Sequence, residues 1–119
     1  MTSDTLHSVV DRACGEHYTW GSVCEGWYLL QFPDLSVILE RVPAGAAETR
    51  HYHSQSRQFF YVIAGSATLE LENQSATLNQ GQGFHVAPRT LHRFVNRSED
   101  EVLFLVISAP TSRGDRTNI

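Results

Sequence analysis

Residues 50–65 read RHYHSQSRQFFYVIAG, and the fold turns on how this stretch is understood. Its second half, QFFYVIA over 58–64, is rich in aromatic and β-branched residues and stops at Gly65, which predicts a strand followed by a turn. Its first half sets two histidines two positions apart. Strand side chains alternate between faces, so His51 and His53 point the same way and their ring nitrogens can converge on one point. Two ligands make a weak metal site, so the others must come from elsewhere. Gln58 opens the next strand after the short polar turn SQSR, and His92 follows the turn APRTL, 34 positions beyond Gln58. Only long-range strand pairing brings all four side chains together.

Working outward, short apolar runs alternate with Gly, Pro, Asn and Ser punctuation from residue 20 onward, the pattern of an all-β sandwich or barrel. Strands are predicted over 27–32, 35–42, 50–53, 58–64, 67–73, 75–79, 83–87, 92–96 and 102–108. ATLELEN (67–73) alternates, with Leu69 and Leu71 inward. VLFLVIS (102–108) does not, which predicts burial on both faces. Upstream, Leu6, Val9, Val10 and Ala13 fall at helical spacing, with Ser3 or Asp4 as a cap and Gly15 as a stop. The expected organisation is an N-terminal helical segment over 1–20, a β-barrel over 21–110 and a polar tail over 111–119.

Composition limits the functions open to the chain. At 119 residues it supports one domain with its own core, and its longest apolar runs, 59–64 and 102–107, are too short to cross a bilayer. The N-terminal MTSDTLHSVVDRACG has neither a basic start nor an apolar centre, which predicts a cytoplasmic protein with Cys14 and Cys24 as free thiols. A formal charge of −4 gives no reason to expect nucleic acid as a partner, and none to expect a membrane. All nine basic residues are Arg, so Schiff-base lysine chemistry and Walker-type phosphate loops are excluded.

The spacing Gly45-x5-His51-x-His53-x4-Gln58-x6-Gly65 resembles the first motif of the cupin superfamily. Gly81-x5-Ala87-Pro88-Arg89-Thr90-Leu91-His92-x3-Asn96 resembles the second, and the 15 residues between the motifs match small single-domain cupins. The resemblance implies a jelly-roll β-barrel, a homodimer with N-terminal strands in its contact, and one divalent metal ion held by His51, His53, Gln58 and His92 inside one end. Gln58 stands where the family usually has a carboxylate, and Arg89 where it usually has Gly. A neutral amide leaves the full ionic charge in place, which favours Zn, Ni or Fe, with Mn or Cu as further options. Three His with Gln also resembles the ligand set of small cupins that convert unsaturated uronates.

Each residue also has a plainer account. His7, His17 and His85 read as surface or hydrogen-bonded histidines, and His51, His53 and His92 can line a polar pocket without a metal. Gln58 can hydrogen-bond inside the barrel without touching an ion. Phe60, Val62 and Phe94 share the ligands' parity and line either a pocket or a core, while Trp20 and Trp27 read as core or contact residues. Of Glu40 and Arg41, one must face inward or the strand must twist. Arg89 falls at the expected barrel mouth, in place to bind a carboxylate, and Arg113, Asp115 and Arg116 either fold over the same opening or, the plainer account for all of these, are solvated surface side chains. No residue stands out as a general base, and the catalytic residues stay open. The expected function is a metal-dependent enzyme on a small oxygenated molecule such as a sugar, uronate or keto acid, working as isomerase, cyclase, lyase or dioxygenase. The alternative is a non-catalytic module that binds or senses a small ligand.

Overall fold

The computed structural model describes residues 7–21 and 23–119. Among them are the strands β1 (His17–Trp20), β2 (Cys24–Phe32), β3 (Leu35–Val42), β4 (His51–Tyr52), β5 (Arg57–Ala64) and β6 (Ser66–Leu71). The chain continues through β7 (Ser75–Asn79), β8 (Gly83–Val86), β9 (His92–Val95), β10 (Val102–Ala109) and β11 (Thr117–Asn118). They form two antiparallel sheets, one in the order β1-β2-β3-β10-β5-β8 and one in the order β11-β4-β9-β6-β7. All nine predicted strands are present.

Three expectations need correction. The two sheets do not join into a closed barrel. No helix exists among the described residues; Val9 is 92% exposed, so the apolar period does not form one buried helical face, and β1 occupies part of that segment. The proposed caps Ser3 and Asp4, with Leu6, lie outside the described residues. Finally, β10 alternates between buried and half-buried positions instead of being buried on both faces. Its neighbours β3 and β5 flank it in the sheet, but only one face is packed.

The core lies between the sheets. Val42, Phe60, Val62, Val102 and Phe104 from the larger sheet meet Leu69, Leu78 and Phe94 from the smaller. Phe94 and Phe104 stack with ring centroids 3.8 Å apart, and both are almost fully buried. Truncating either to Ala would cost about 3–5 kcal/mol. Val62 and Phe94 are therefore core residues, one of the two roles open to them.

Turn glycines behave as expected: Gly45, Gly65 and Gly81 all take positive φ. At Gly65 the requirement is double, since a Cβ would also press on the main-chain oxygen of Glu101 at 2.6 Å. The polar tail is not loose. β11 pairs with β4, setting Thr117 against Tyr52 and Asn118 against His51, so the tail lies along the strand that carries the first histidine.

Candidate metal centre

Strand pairing does the long-range work. His51 on β4 and His92 on β9 face each other directly in register, with ring centroids 4.4 Å apart. His53, just past β4, lies 4.9 Å from the His51 ring. One ligand-capable atom from each of the three lies within 4.8 Å of the others, and all three residues are buried. Three histidines so placed can hold a metal ion.

The ring nitrogens have already been sorted. Each Nδ1–H has a main-chain carbonyl to donate to: Thr49 O for His51 at 2.7 Å, Asp115 O for His53 at 2.5 Å and Thr90 O for His92 at 2.7 Å. Donation from Nδ1 leaves each Nε2 as a lone-pair donor, the arrangement that orients histidine ligands in metalloproteins. Burial reinforces it. Desolvation lowers the pKa of all three, to about 3 for His51 and about 4 for His92, so the rings stay neutral at physiological pH.

Gln58 is buried on β5 opposite Ser108 of β10. Its Nε2 donates to Ser108 Oγ at 3.1 Å, while Oε1 is buried without a partner. His92 Nε2 is likewise buried and unpartnered. Leaving such atoms unsatisfied costs about 1–3 kcal/mol each. A divalent cation is a natural partner for both, so the donor set fits a metal.

A cavity of about 420 Å³ opens beside these groups, lined by His51, His53 and Gln58 together with Tyr18, Trp20, Tyr28 and Phe60. Two carboxylates face into it. Glu48, with a side chain 11% exposed, places Oε1 4.0 Å from His51 Nε2. Its Oε1 also accepts the Phe94 amide at 2.9 Å, and Arg116 Nη1 lies 3.7 Å from its Oε2. Burial first, then the Glu40 charge, push its pKa up to about 8 against the pull of Arg116. Glu40 is the inward member of the Glu40–Arg41 pair. It accepts the Tyr18 hydroxyl at 2.6 Å, and burial raises its pKa to about 7 despite that bond. Trp20 lines the same cavity, and its Nε1–H is buried without an acceptor.

The other charged residues sort themselves. Arg41 pairs with Glu25 and Glu101 away from the cavity, and Arg50 lies 3.6 Å from Glu70. Arg113 and Arg116 line the cavity from the tail, whereas Arg89 is exposed and outside its lining. His85 is exposed and bonds to Arg57, and His17 pairs with Glu25, so the plain account of both holds. Cys14 and Cys24 are free.

Sequence reasoning missed Glu48 and Tyr18. Glu48 sits in the connection before β4, where parity counted back from His51 sends it to the opposite face from the ligands. Its placement depends on Glu48 N donating to Phe94 O at 3.0 Å, a contact with no local signal. Tyr18 was hidden inside the supposed helical segment.

Residues 38–108, more than half the chain, match the family model described as cupin domain. The fold is similar to that of the polyketide cyclase RemF from Streptomyces resistomycificus, with TM-score 0.81 and 18% identity over 95% of this chain and 85% of that one. It is also similar to KdgF from Halomonas sp., with TM-score 0.79 and 24% identity over 88% of this chain and 94% of that one. Among curated relatives, the polyketide synthase CurC of Streptomyces cyaneus is 29% identical over 66 residues, covering 56% of this chain and 43% of CurC. The aligned segments span less than two thirds of the length of the curated relatives they match, from 43% to 62%.

Proposed function

We propose, from the premise that this chain belongs to the cupin domain family, that it is a mononuclear metal enzyme acting on a small oxygenated substrate. His51, His53 and His92 hold one divalent ion through Nε2, with Gln58 Oε1 as the fourth ligand. The observation that carries this reading is the trio of Nδ1–H groups anchored on main-chain carbonyls, which leaves three neutral Nε2 atoms beside one another. When bound, a divalent ion supplies Lewis acidity to a carbonyl or hydroxyl oxygen of the substrate. All four proposed ligands are neutral, so that acidity is undiminished and Zn, Ni or Fe suits the site.

The chain's own residues then handle protons. Glu48, beside the histidine cluster and with Arg116 at its other oxygen, would in its ionised form, which prevails above about pH 8, take the proton from the carbon next to a substrate carbonyl and return it to that or a neighbouring carbon. Tyr18 and Glu40 form a second proton-carrying pair on the cavity wall. Trp20 Nε1–H offers a donor to a substrate oxygen, and Tyr28 and Phe60 supply apolar walls. This set serves isomerisation, cyclisation or elimination by proton transfer. The name of the polyketide cyclase RemF supports the cyclase version, and that of the polyketide synthase CurC a polyketide substrate, with sugars, uronates and keto acids as other substrates. Two inward carboxylates favour an enzyme over a non-catalytic binding module.

The test is proton exchange. Keto acids, uronates and β-dicarbonyl compounds are incubated with the metal-loaded protein in deuterium oxide, and exchange next to the carbonyl is followed by NMR. Wild type exchanges at least one of them; Glu48→Gln keeps its metal and slows exchange about 10²–10⁴-fold. Equal exchange by both proteins removes Glu48 from the reaction, and no exchange with any compound favours the binding module.

A further inference from the structure

The C-terminal segment does more than cover the cavity. After β10 the chain turns back, and Thr111 N donates to Pro33 O at 3.0 Å. Asp115 then meets the first-motif turn with three of its atoms. Its main-chain oxygen accepts His53 Nδ1–H. Its Oδ1 accepts the Ser54 amide at 2.8 Å, and its Oδ2 accepts the amides of Gln55 and Ser56, each at 2.9 Å. Those three amides belong to the turn joining His53 to Gln58. Ser56 is 1% exposed, and its hydroxyl donates to Pro110 O at 2.7 Å, so the tail grips the turn at a second point.

A turn with three consecutive amides pointing one way needs an acceptor, and a carboxylate satisfies all three through charge-assisted bonds. Without it the three amides lose their acceptor, and the Asp115 carbonyl that fixes the His53 ring loses its direct tie to the turn, leaving the Ser56–Pro110 bond and the β11–β4 pairing to hold the tail. His51 and His92 differ here: each donates to a carbonyl two residues before it in its own segment, Thr49 and Thr90. His53 alone of the three takes its orientation from a residue 62 positions away.

We infer that Asp115 is a positioning residue of the metal centre: its carboxylate holds the 54–56 turn so that its carbonyl fixes the tautomer and aim of His53. This inference rests on the metal-binding reading of the site. It makes the C-terminal segment part of the centre, although no residue of that segment is a ligand.

The experiment compares wild type with Asp115→Ala, Asp115→Asn and Glu16→Ala. Glu16 ties the tail from the other side, through an exposed pair with Arg113 at 3.3 Å, and is not part of the centre. Three quantities are read: Zn²⁺ affinity by chelator competition, thermal stability without metal, and the His53 ring ¹⁵N shifts without metal. Asp115→Ala is expected to bind Zn²⁺ about 10–100-fold more weakly, as loss of a partner behind a metal ligand does, with Asp115→Asn in between and Glu16→Ala unchanged. The His53 ring is expected to carry its proton on Nδ1 in wild type and to mix tautomers in Asp115→Ala. Affinity within about twofold of wild type in both Asp115 variants, whatever their stability, overturns the inference. Wild type that binds no Zn²⁺ defeats the metal-binding reading instead, and the ¹⁵N shifts still decide whether Asp115 fixes His53.

Discussion

Tyr18 and Glu40 meet across a glycine. Tyr18 of β1 pairs with Gly26 of β2, Gly26 pairs with Glu40 of β3, and the Tyr18 hydroxyl reaches over the gap to Glu40 Oε2 at 2.6 Å. Any Cβ at position 26 would overlap the phenol ring. The missing side chain is what allows two residues from alternate strands to form one buried pair.

That pair gives stability a pH dependence. Burial raises the Glu40 pKa from its ordinary 4.5 to about 7, so between those values the native state holds a proton that the unfolded chain releases. The contribution is fully present below pH 4.5 and is lost as pH rises through about 7. Glu40→Gln keeps an acceptor for Tyr18 and cannot ionise. Urea unfolding of metal-free protein at pH 5 and pH 9 should show the variant gaining on wild type at the higher pH by an amount on the order of 2–3 kcal/mol. A gap that does not change with pH contradicts the burial of a titrating Glu40.

Arg89 is a second device with a measurable cost. It is the one non-glycine residue at positive φ among the described residues, with φ 65°, at the place where the family resemblance expects Gly. Its amide donates to His53 O at 2.6 Å, a main-chain bond that a glycine retains. Relief of the left-handed conformation is worth about 1–2 kcal/mol, against about 0.5–1 kcal/mol of extra chain entropy for Gly. Arg89→Gly should therefore raise stability by about 0.5–1 kcal/mol in denaturant titration, and a loss of stability would show that the arginine side chain makes a contribution of its own.

The outer face of the larger sheet has the composition of an interface. Across it run Trp27, Leu39, Leu105 and Tyr61 in one register row and Leu30, Val37, Ile107 and Phe59 in the next. Phe59, Tyr61 and Ile63 are 41%, 38% and 37% exposed. Contiguous apolar surface of this kind marks association sites, and we propose that a second copy of the chain covers it. Sedimentation velocity should find a dimer for wild type and a monomer for Tyr61→Glu; a wild-type monomer at all concentrations contradicts the proposal.

The same face explains one misreading of the sequence. Leu103, Leu105 and Ile107 look like core residues because they are apolar, yet they lie half-buried on the side away from the other sheet. Alternation of burial was present but not alternation of polarity. The strands that carry His51, Gln58 and His92 were legible because short apolar runs and motif spacing, which are local properties, mark them. Glu48, Tyr18 and Asp115 depend on contacts spanning 46, 22 and 62 positions, respectively. Nothing local marks Glu48 or Tyr18, and for Asp115 the sequence offers only a place near the mouth, not its contacts; Val9 shows the converse, an apolar residue left 92% exposed.

The central claim is that His51, His53 and His92 hold a metal, and elemental analysis of protein purified without added metal or chelator tests it most directly. Wild type should carry close to one divalent ion per chain, and a His51→Ala, His53→Ala double variant should carry none while remaining folded. Wild-type protein that is empty and takes up no Zn²⁺, Ni²⁺ or Fe²⁺ on addition would contradict the account and leave the cavity as a site for an organic ligand alone.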